Sequence, residues 1–132
     1  MSDTLQPGLV GTASVQVSPA NTAQALGSGT VTVFATPALV ALLEQAAVNA
    51  LAGALAPGST SVGTRIDVSH TAATPVGMTV SATATLVDVD GRRLHFYVTA
   101  RDDQENVAEG VHERVVVDEQ RFVARVGGKQ TG

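Results

Sequence analysis

"TPALVALLEQAAVNALAGAL", residues 36–55, decides the fold. Its period differs from that of the flanking chain. Leu39, Leu42, Leu43, Ala46, Ala50, Ala54 and Leu55 recur at helical spacing. The alanines favour a helix and let other elements approach it closely. Thr36 suits the N-cap, where its hydroxyl can accept a bond from an orphan amide of the first turn. Pro37 suits the first helical position, where its missing N–H costs nothing. "APGST" at 56–60 ends the element.

This helix is apolar nearly all round. Gln45 and Asn49, four residues apart, make its solvent strip. Glu44 stands about a quarter turn from Gln45, and its neighbours at helical spacing are Val40, Ala41, Ala47, Val48 and Leu51. Two readings follow. A carboxylate on an apolar face is costly unless paired or protonated, tends to a raised pKa, and suits acid, base or nucleophile work. Alternatively Glu44 edges the polar strip and is simply solvated.

Upstream of the helix, "LVGTASVQV" (9–17) alternates and reads as a first strand, "SPANTAQALGSG" (18–29) as a loop, and "TVTVFA" (30–35) as a short β-like run. Downstream come four strand-like segments near 61–70, 77–89, 92–102 and 106–117. "DVDGRRL" is a hairpin signal with Asp90-Gly91 at its bend, and "RDDQENV" is a second polar turn. "DEQRFVARV" (118–126) reads as a short helix capped by Asp118, with a further strand as the alternative. Residues 1–7 and 127–132 read as flexible tails around a single domain at 8–126. Strand, long helix, then consecutive antiparallel strands is an α+β order. A long Ala-rich helix wrapped by such a meander is the hot-dog arrangement.

At 132 residues the chain suits one domain with one core. Aromatic residues are only 3%, so Val, Leu, Ile and Ala must fill that core, and dimerisation is expected to bury more surface. The net charge of −4 comes with few, scattered basic residues, which argues against nucleic-acid binding. The absence of cysteine removes disulfides, thiolate metal sites and a cysteine nucleophile. The start lacks a signal-peptide pattern, and Glu44, Gln45 and Asn49 interrupt the longest apolar run. The expectation is a soluble cytoplasmic protein.

The stretch "SVGTRIDVSHTAATPVGM" (61–78) places Val62, Thr64, Ile66, Val68 and His70 on one side, with Arg65, Asp67 and Ser69 on the other. His70 is either a general acid or base or a hydrogen-bonded histidine at a strand end. Gly63 is either a bulge or a point where a ligand nears the backbone and a bare amide meets an oxyanion. In "GVHERVVV" (110–117), His112 and Arg114 share a side that is either anion-binding or solvated. Three histidines without short ligand spacing give no metal site. Neither a phosphate-loop pattern nor a G-x-S-x-G elbow occurs.

"GTRIDVSHTAATPVGMTVSATATL", "VDGRRLHFYVTARD", "GVHERVVV" and the helix "FATPALVALLEQAAVNAL" resemble the fluoroacetyl-CoA thioesterase family of hot-dog proteins, over about residues 31–126. The resemblance implies a Thr–Glu–His active site at Thr36, Glu44 and His70. It sets Gly63 against the thioester and gives Arg114 a supporting role. Hot-dog members usually pair into dimers through their sheets, so a homodimer is expected, with a tetramer as the alternative, and no cofactor is expected besides the CoA of the substrate. In the mechanism the resemblance implies, Glu44 attacks the thioester carbonyl or activates water, and His70 shuttles a proton. Thr36 holds Glu44 or the carbonyl. The fluoroacetyl-specific member carries an aromatic lid before the helix. "NTAQALGSGTVTV" (21–33) has no aromatic residue, and Phe34 is the only one nearby. A broader short-chain acyl-CoA thioesterase is therefore expected. A hot-dog acyl-CoA hydratase or dehydratase, and a non-catalytic acyl-CoA or small-ligand binding protein, are the alternatives.

Overall fold

The computed structural model describes residues 4–130. Strand β1 (Val10–Gln16) leads through a 3-10 turn (Pro19–Asn21) and a short helix α1 (Ala23–Leu26) to the long helix α2 (Thr36–Ala50). Four strands follow: β2 (Ser59–His70), β3 (Thr79–Asp90), β4 (Arg93–Arg101) and β5 (Asn106–Asp118). Helix α3 (Glu119–Gly127) and a 3-10 turn (Gly128–Gln130) close the chain. The strands form one antiparallel sheet in the order β1-β3-β4-β5-β2, which leaves β1 and β2 as its edges. This is the α+β hot-dog layout expected from the order of elements.

The sheet alternates as a one-sided surface should. Val80, Ala82, Ala84 and Leu86 of β3 and Leu94, Phe96, Val98 and Ala100 of β4 are buried on the face under α2. The helix buries Leu39, Leu42, Leu43, Ala46, Ala47 and Ala50 against them. Each fully buried Leu or Phe contributes about 1.5–3 kcal/mol. The helix sits close because small residues meet at the contact. Gly11 of β1 lies against the backbone of Ala46 and Ala50 with no room for a Cβ. Asn49, on the polar strip, donates to the Thr12 carbonyl at 2.7 Å and fixes the same edge.

Five local expectations change. The long helix stops at Ala50, with Leu51 as its C-cap and turns at 51–54, and does not reach residue 55. The loop expected at 18–29 holds the 3-10 turn and α1, capped by Ser18 and Thr22. The run at 30–35 is not a strand. Its backbone is stitched into neighbouring loops, through Ala23 N–H to the Val33 carbonyl and Phe34 N–H to the Thr74 carbonyl. Thr36 is not the N-cap. Ala35 holds that position without a side-chain bond, and Thr36 begins the helix proper. The alternation of β2 breaks at a bulge, where the register to β5 slips between Gly63 and Arg65. Thr64 is the extra residue, and its hydroxyl donates to the Glu113 carbonyl. Ser61 and Gly63, not Val62 and Thr64, therefore share the helix-facing side with Ile66, Val68 and His70. At the start of the chain, residues 1–3 of the expected tail lie outside the described residues. Leu5 is buried in the core, so the chain is pinned from that point. At the other end, residues 127–130 finish α3 and its 3-10 turn, and 131–132 lie outside the described residues.

The Gly11 contact gives a direct test of how the helix is seated. Gly11→Val should force α2 off β1 and lower folding stability by at least ~1–3 kcal/mol, the range for overpacking a close contact. Urea unfolding followed by circular dichroism reads this. Unchanged stability would show that the helix has slack at this point.

Candidate active site

The bulge and the ends of α2 and β2 sort the polar residues into two clusters. In the first, Thr36 at the start of α2 meets His70 at the end of β2, with Thr36 Oγ1 2.8 Å from His70 Nδ1. The hydroxyl that was expected to cap the helix is turned to the imidazole instead. The first-turn amides of α2 thus carry no side-chain cap. A cavity of about 250 Å³ opens here, walled by Phe34, Thr36, His70 and the small residues Thr71, Ala72 and Ala73. His70 Nε2 is buried and is the single such side-chain nitrogen or oxygen without a hydrogen-bond partner among the described residues. Buried polar atoms are ordinarily bonded, so this nitrogen marks a place for a ligand or water. Phe34 is fully buried and forms a wall of the cavity, not a cover over it.

The second cluster centres on Glu44. Arg114 Nη1 donates to Glu44 Oε2 at 3.3 Å. The same guanidinium is held from behind, with Nε on Ser61 Oγ at 2.8 Å and Nη2 on the Ser61 carbonyl at 3.0 Å. His112 completes the set. Its Nδ1 lies 2.7 Å from the Arg65 carbonyl, which can only accept, so the proton sits on Nδ1. Its Nε2 lone pair then receives Arg114 Nη1 at 3.3 Å. His112 and Arg114 are 3% and 6% exposed, which excludes the solvated reading of that strand face. Gly63 sits directly beneath Glu44. A Cβ there would collide with Glu44 Oε2 and press on Arg114 and His112 at 3.4 Å. The glycine is the space that the carboxylate occupies.

Burial lowers the pKa of both site histidines. At His70 desolvation dominates, with the nearby Ala72 backbone partly opposing it. At His112 desolvation leads again, the Arg65 carbonyl opposes it, and the Arg114 charge adds to the lowering. Both imidazoles are therefore neutral at pH 7. A neutral His70 bonded to a hydroxyl through Nδ1 can present Nε2 as donor or acceptor, according to which atom of the Thr36–His70 pair holds the shared proton.

The three residues expected to act together do not meet within one chain. Thr36 and His70 touch. Glu44 is eight residues along the helix from Thr36, ~12 Å at 1.5 Å per residue. Gly63 and His70 are ~20 Å apart along β2 after allowing for the bulge. Arg114 and Gly63 lie with Glu44. Ser61 and His112 complete this cluster, and sequence reading gave neither a role in it. The one available signal was the alternate spacing of His112 and Arg114.

Residues 17–120 match the family described as FlK, fluoroacetyl-CoA-specific thioesterase. The fluoroacetyl-CoA thioesterase of Streptantibioticus cattleyicolor is 50% identical over 97 residues, 74% of this chain and 70% of that relative. A crystal structure of a single-residue variant of the fluoroacetyl-CoA-specific thioesterase FlK superposes with a TM-score of 0.89 at 41% identity, over 97% of this chain and 99% of the other. A hot-dog-like protein from Thermanaerovibrio acidaminovorans gives a TM-score of 0.86 at 30% identity, over 96% and 94%. A thioesterase-superfamily protein from Thermus thermophilus shares the fold at a TM-score of 0.88 and 23% identity, over 95% of this chain and 93% of the other.

The two neutral histidines predict a pH dependence of stability. Their folded pKa values lie below the unfolded 6.5, so the unfolded chain binds more protons as pH falls through that value. Stability should hold above about pH 7 and decline as pH drops below 6.5 toward the lowered folded values. Urea midpoints measured from pH 8 to 5 should show this slope. His112→Gln, whose amide can make both ring bonds, should flatten it; an equal slope in that variant would remove His112 as a cause.

Proposed function

The chain belongs to the fluoroacetyl-CoA-specific thioesterase family, and from that premise we propose that it hydrolyses short-chain acyl-CoA thioesters to the free acid and CoA. The observation that carries the reading is the unpartnered Nε2 of His70, buried beside a hydroxyl in a small cavity. Thioester hydrolysis needs a nucleophile, a proton shuttle and a receiver for the oxyanion. Glu44 takes the first role. Its carboxylate either attacks the carbonyl, forming an anhydride that water then cleaves, or removes a proton from the attacking water. Arg114, held by Ser61 and His112, fixes the carboxylate over Gly63. His70 gives the Nε2 proton to the departing CoA sulfur and regains one at the same nitrogen from the water that completes the hydrolysis, while Thr36 holds the ring through Nδ1. The uncapped amides at the start of α2 and the Gly63 amide are the candidates to receive the oxyanion, and the helix dipole favours the former.

The same reading requires a second copy. β2 is a 12-residue edge strand. Two such edges paired antiparallel about Ile66 and Asp67 would bring Gly63 of one beside His70 of the other. Glu44 of one subunit would then complete the Thr36–His70 pair of its neighbour, in a homodimer with two composite sites. Without an aromatic cover over the 250 Å³ cavity, the enzyme accepts short acyl groups beyond fluoroacetyl. No metal or redox cofactor enters. No described helix is long and apolar enough to cross a membrane. The location proposed is the cytoplasm, where CoA thioesters occur.

Glu44→Ala and His70→Ala should each lower kcat for acetyl-CoA about 10²–10⁴-fold, followed as free thiol released to a colorimetric reagent. Thiol release also separates hydrolysis from hydration, which frees none. Mixing the two inactive variants should restore about a quarter of native activity, since half the random dimers carry one intact composite site. Full activity in both single variants would sink the assignment. No recovery on mixing would place each site within one chain.

A further inference from the structure

Arg114 holds Glu44 through a nitrogen that it shares. Nη1 donates to Glu44 Oε2 and to His112 Nε2, each at 3.3 Å. Its other two nitrogens are committed to Ser61. Both Nη1 bonds stand only while His112 Nε2 keeps a lone pair to accept with. The ring is set for that role. Nδ1 donates to the Arg65 carbonyl at 2.7 Å, just past the bulge in β2. Phe96, opposite His112 on β4, lies against the ring with centroids 6.0 Å and planes 30° apart. With Nδ1 tied and the ring packed, a second proton can go only to Nε2. It would face Nη1 there, donor against donor and cation against cation. Nη1 would then leave its place, while the Ser61 bonds keep the rest of the guanidinium where it is. Glu44 has no other hydrogen-bond or ion-pair partner among the described residues.

We infer that His112 is a positioning residue for the reaction: its neutral Nδ1–H tautomer keeps Arg114 on Glu44, and a proton on Nε2 releases the carboxylate from its fixed place over Gly63. The inference rests on the thioesterase reading above. It goes beyond that reading by assigning part of the acid loss of activity to a side chain that acts only through another.

Two titratable groups face His112, Arg114 on its own strand and Glu44 from α2. From β2 it meets the Arg65 carbonyl, and from β4 the Phe96 ring. Burial is the largest influence and disfavours the charged ring; the Arg114 charge works the same way, while the Arg65 carbonyl and the Glu44 charge oppose. The folded pKa therefore lies below 6.5. The pairing holds at neutral pH and is lost as pH falls below that value. His70 titrates on the same side of 6.5, so the native rate profile must be compared with a variant in which position 112 cannot titrate.

The test follows acetyl-CoA hydrolysis from pH 8 to 5 in native protein, His112→Gln and His112→Leu, over the range where circular dichroism shows each one folded. Gln can accept from Arg114 at every pH. Its kcat/KM profile should have a shallower acid limb, by one proton in limiting slope. Leu accepts at no pH. Its kcat at pH 8 should fall about tenfold, the worth of a hydrogen bond to a charged group, and Gln should recover part of that loss. A histidine that only fills space would do neither. An unchanged acid limb in His112→Gln, or equal losses in the two variants at pH 8, would overturn the assignment. A second measurement needs no turnover. NMR of nitrogen-labelled protein should show the His112 ring as the Nδ1–H tautomer at pH 8. The Arg114 Nε–H resonance should shift with the midpoint of that ring and stay fixed in His112→Gln. The chain has three histidines, so each ring is assigned by substitution. An Nε2–H tautomer, or an Arg114 signal that ignores the ring, overturns the proposal even where thioesters are cleaved. Coupled titration in a protein that cleaves no thioester supports the His112–Arg114–Glu44 link and removes the hydrolytic reading alone.

Discussion

The seat of α2 on the sheet governs everything else. Gly11 admits the backbone of Ala46 and Ala50, so the helix drops onto β1 and β3 at a distance larger residues would forbid. Seated there, it covers Ala82, Ala84 and the apolar middle of the sheet. It does not cover β5 and β2 equally. That side of the concave face keeps a space between helix and strand, and Glu44 is the helix residue that projects into it. A sheet with large residues at Gly11 or along β3 would push the helix outward, and the carboxylate would lose its fixed relation to Gly63.

The space is held polar at a cost that the structure offsets locally. A buried guanidinium is expensive unless its charge and its N–H groups are all met. Arg114 is met four times, by Glu44, His112 and twice by Ser61. Its burial lowers its own pKa, and Glu44 works against that shift. The bulge at Thr64 makes the arrangement possible. Without the extra residue, Ser61 and Gly63 would face outward, and the arginine would lose its Ser61 anchors while a Val62 side chain filled the room Glu44 needs. The bulge and the ion pair are therefore one structural device. Thr74 and Asp102 form the comparable buried pair at the other end of the sheet, where Asp102 also ties the 102–105 turn through Gln104 and Glu105.

Much of this was legible in the residue pattern, because periodicity is local. Spacing gives the four strands between 59 and 118 and a helix from residue 36, which the structure ends at Ala50 and not at 55; for 118–126 it leaves helix and strand open, and the structure forms the helix capped by Asp118. What the pattern missed depends on partners distant in sequence. Thr36 has the ideal setting for a cap, and nothing nearby in the chain reveals that its hydroxyl goes to a strand end thirty-four residues later. The bulge inverts the faces of β2, yet its only local trace is Gly63. His112 and Arg114 share a strand face that reads as solvated until Glu44 and Ser61 are placed over it. The family resemblance supplied Thr36, Glu44, His70, Gly63 and Arg114 together, but it did not reveal that one chain divides them into two clusters.

That division points at the edge of the sheet. β2 carries both clusters, one near each end, and its outer side has no strand beside it. A long unpaired edge is ordinarily blunted by charge, proline or a covering element. Here Arg65 and Asp67 are exposed at its middle and make only a loose pair at 3.9 Å with each other. At one end the Glu44 side chain is 40% exposed toward solvent, although its cation is buried. At the other, His70 Nε2 is buried with nothing to bond. The proposed antiparallel partner strand would account for all three features at once. It would satisfy the edge, cover the carboxylate, and bring that carboxylate toward the unbonded nitrogen of the partner copy's imidazole.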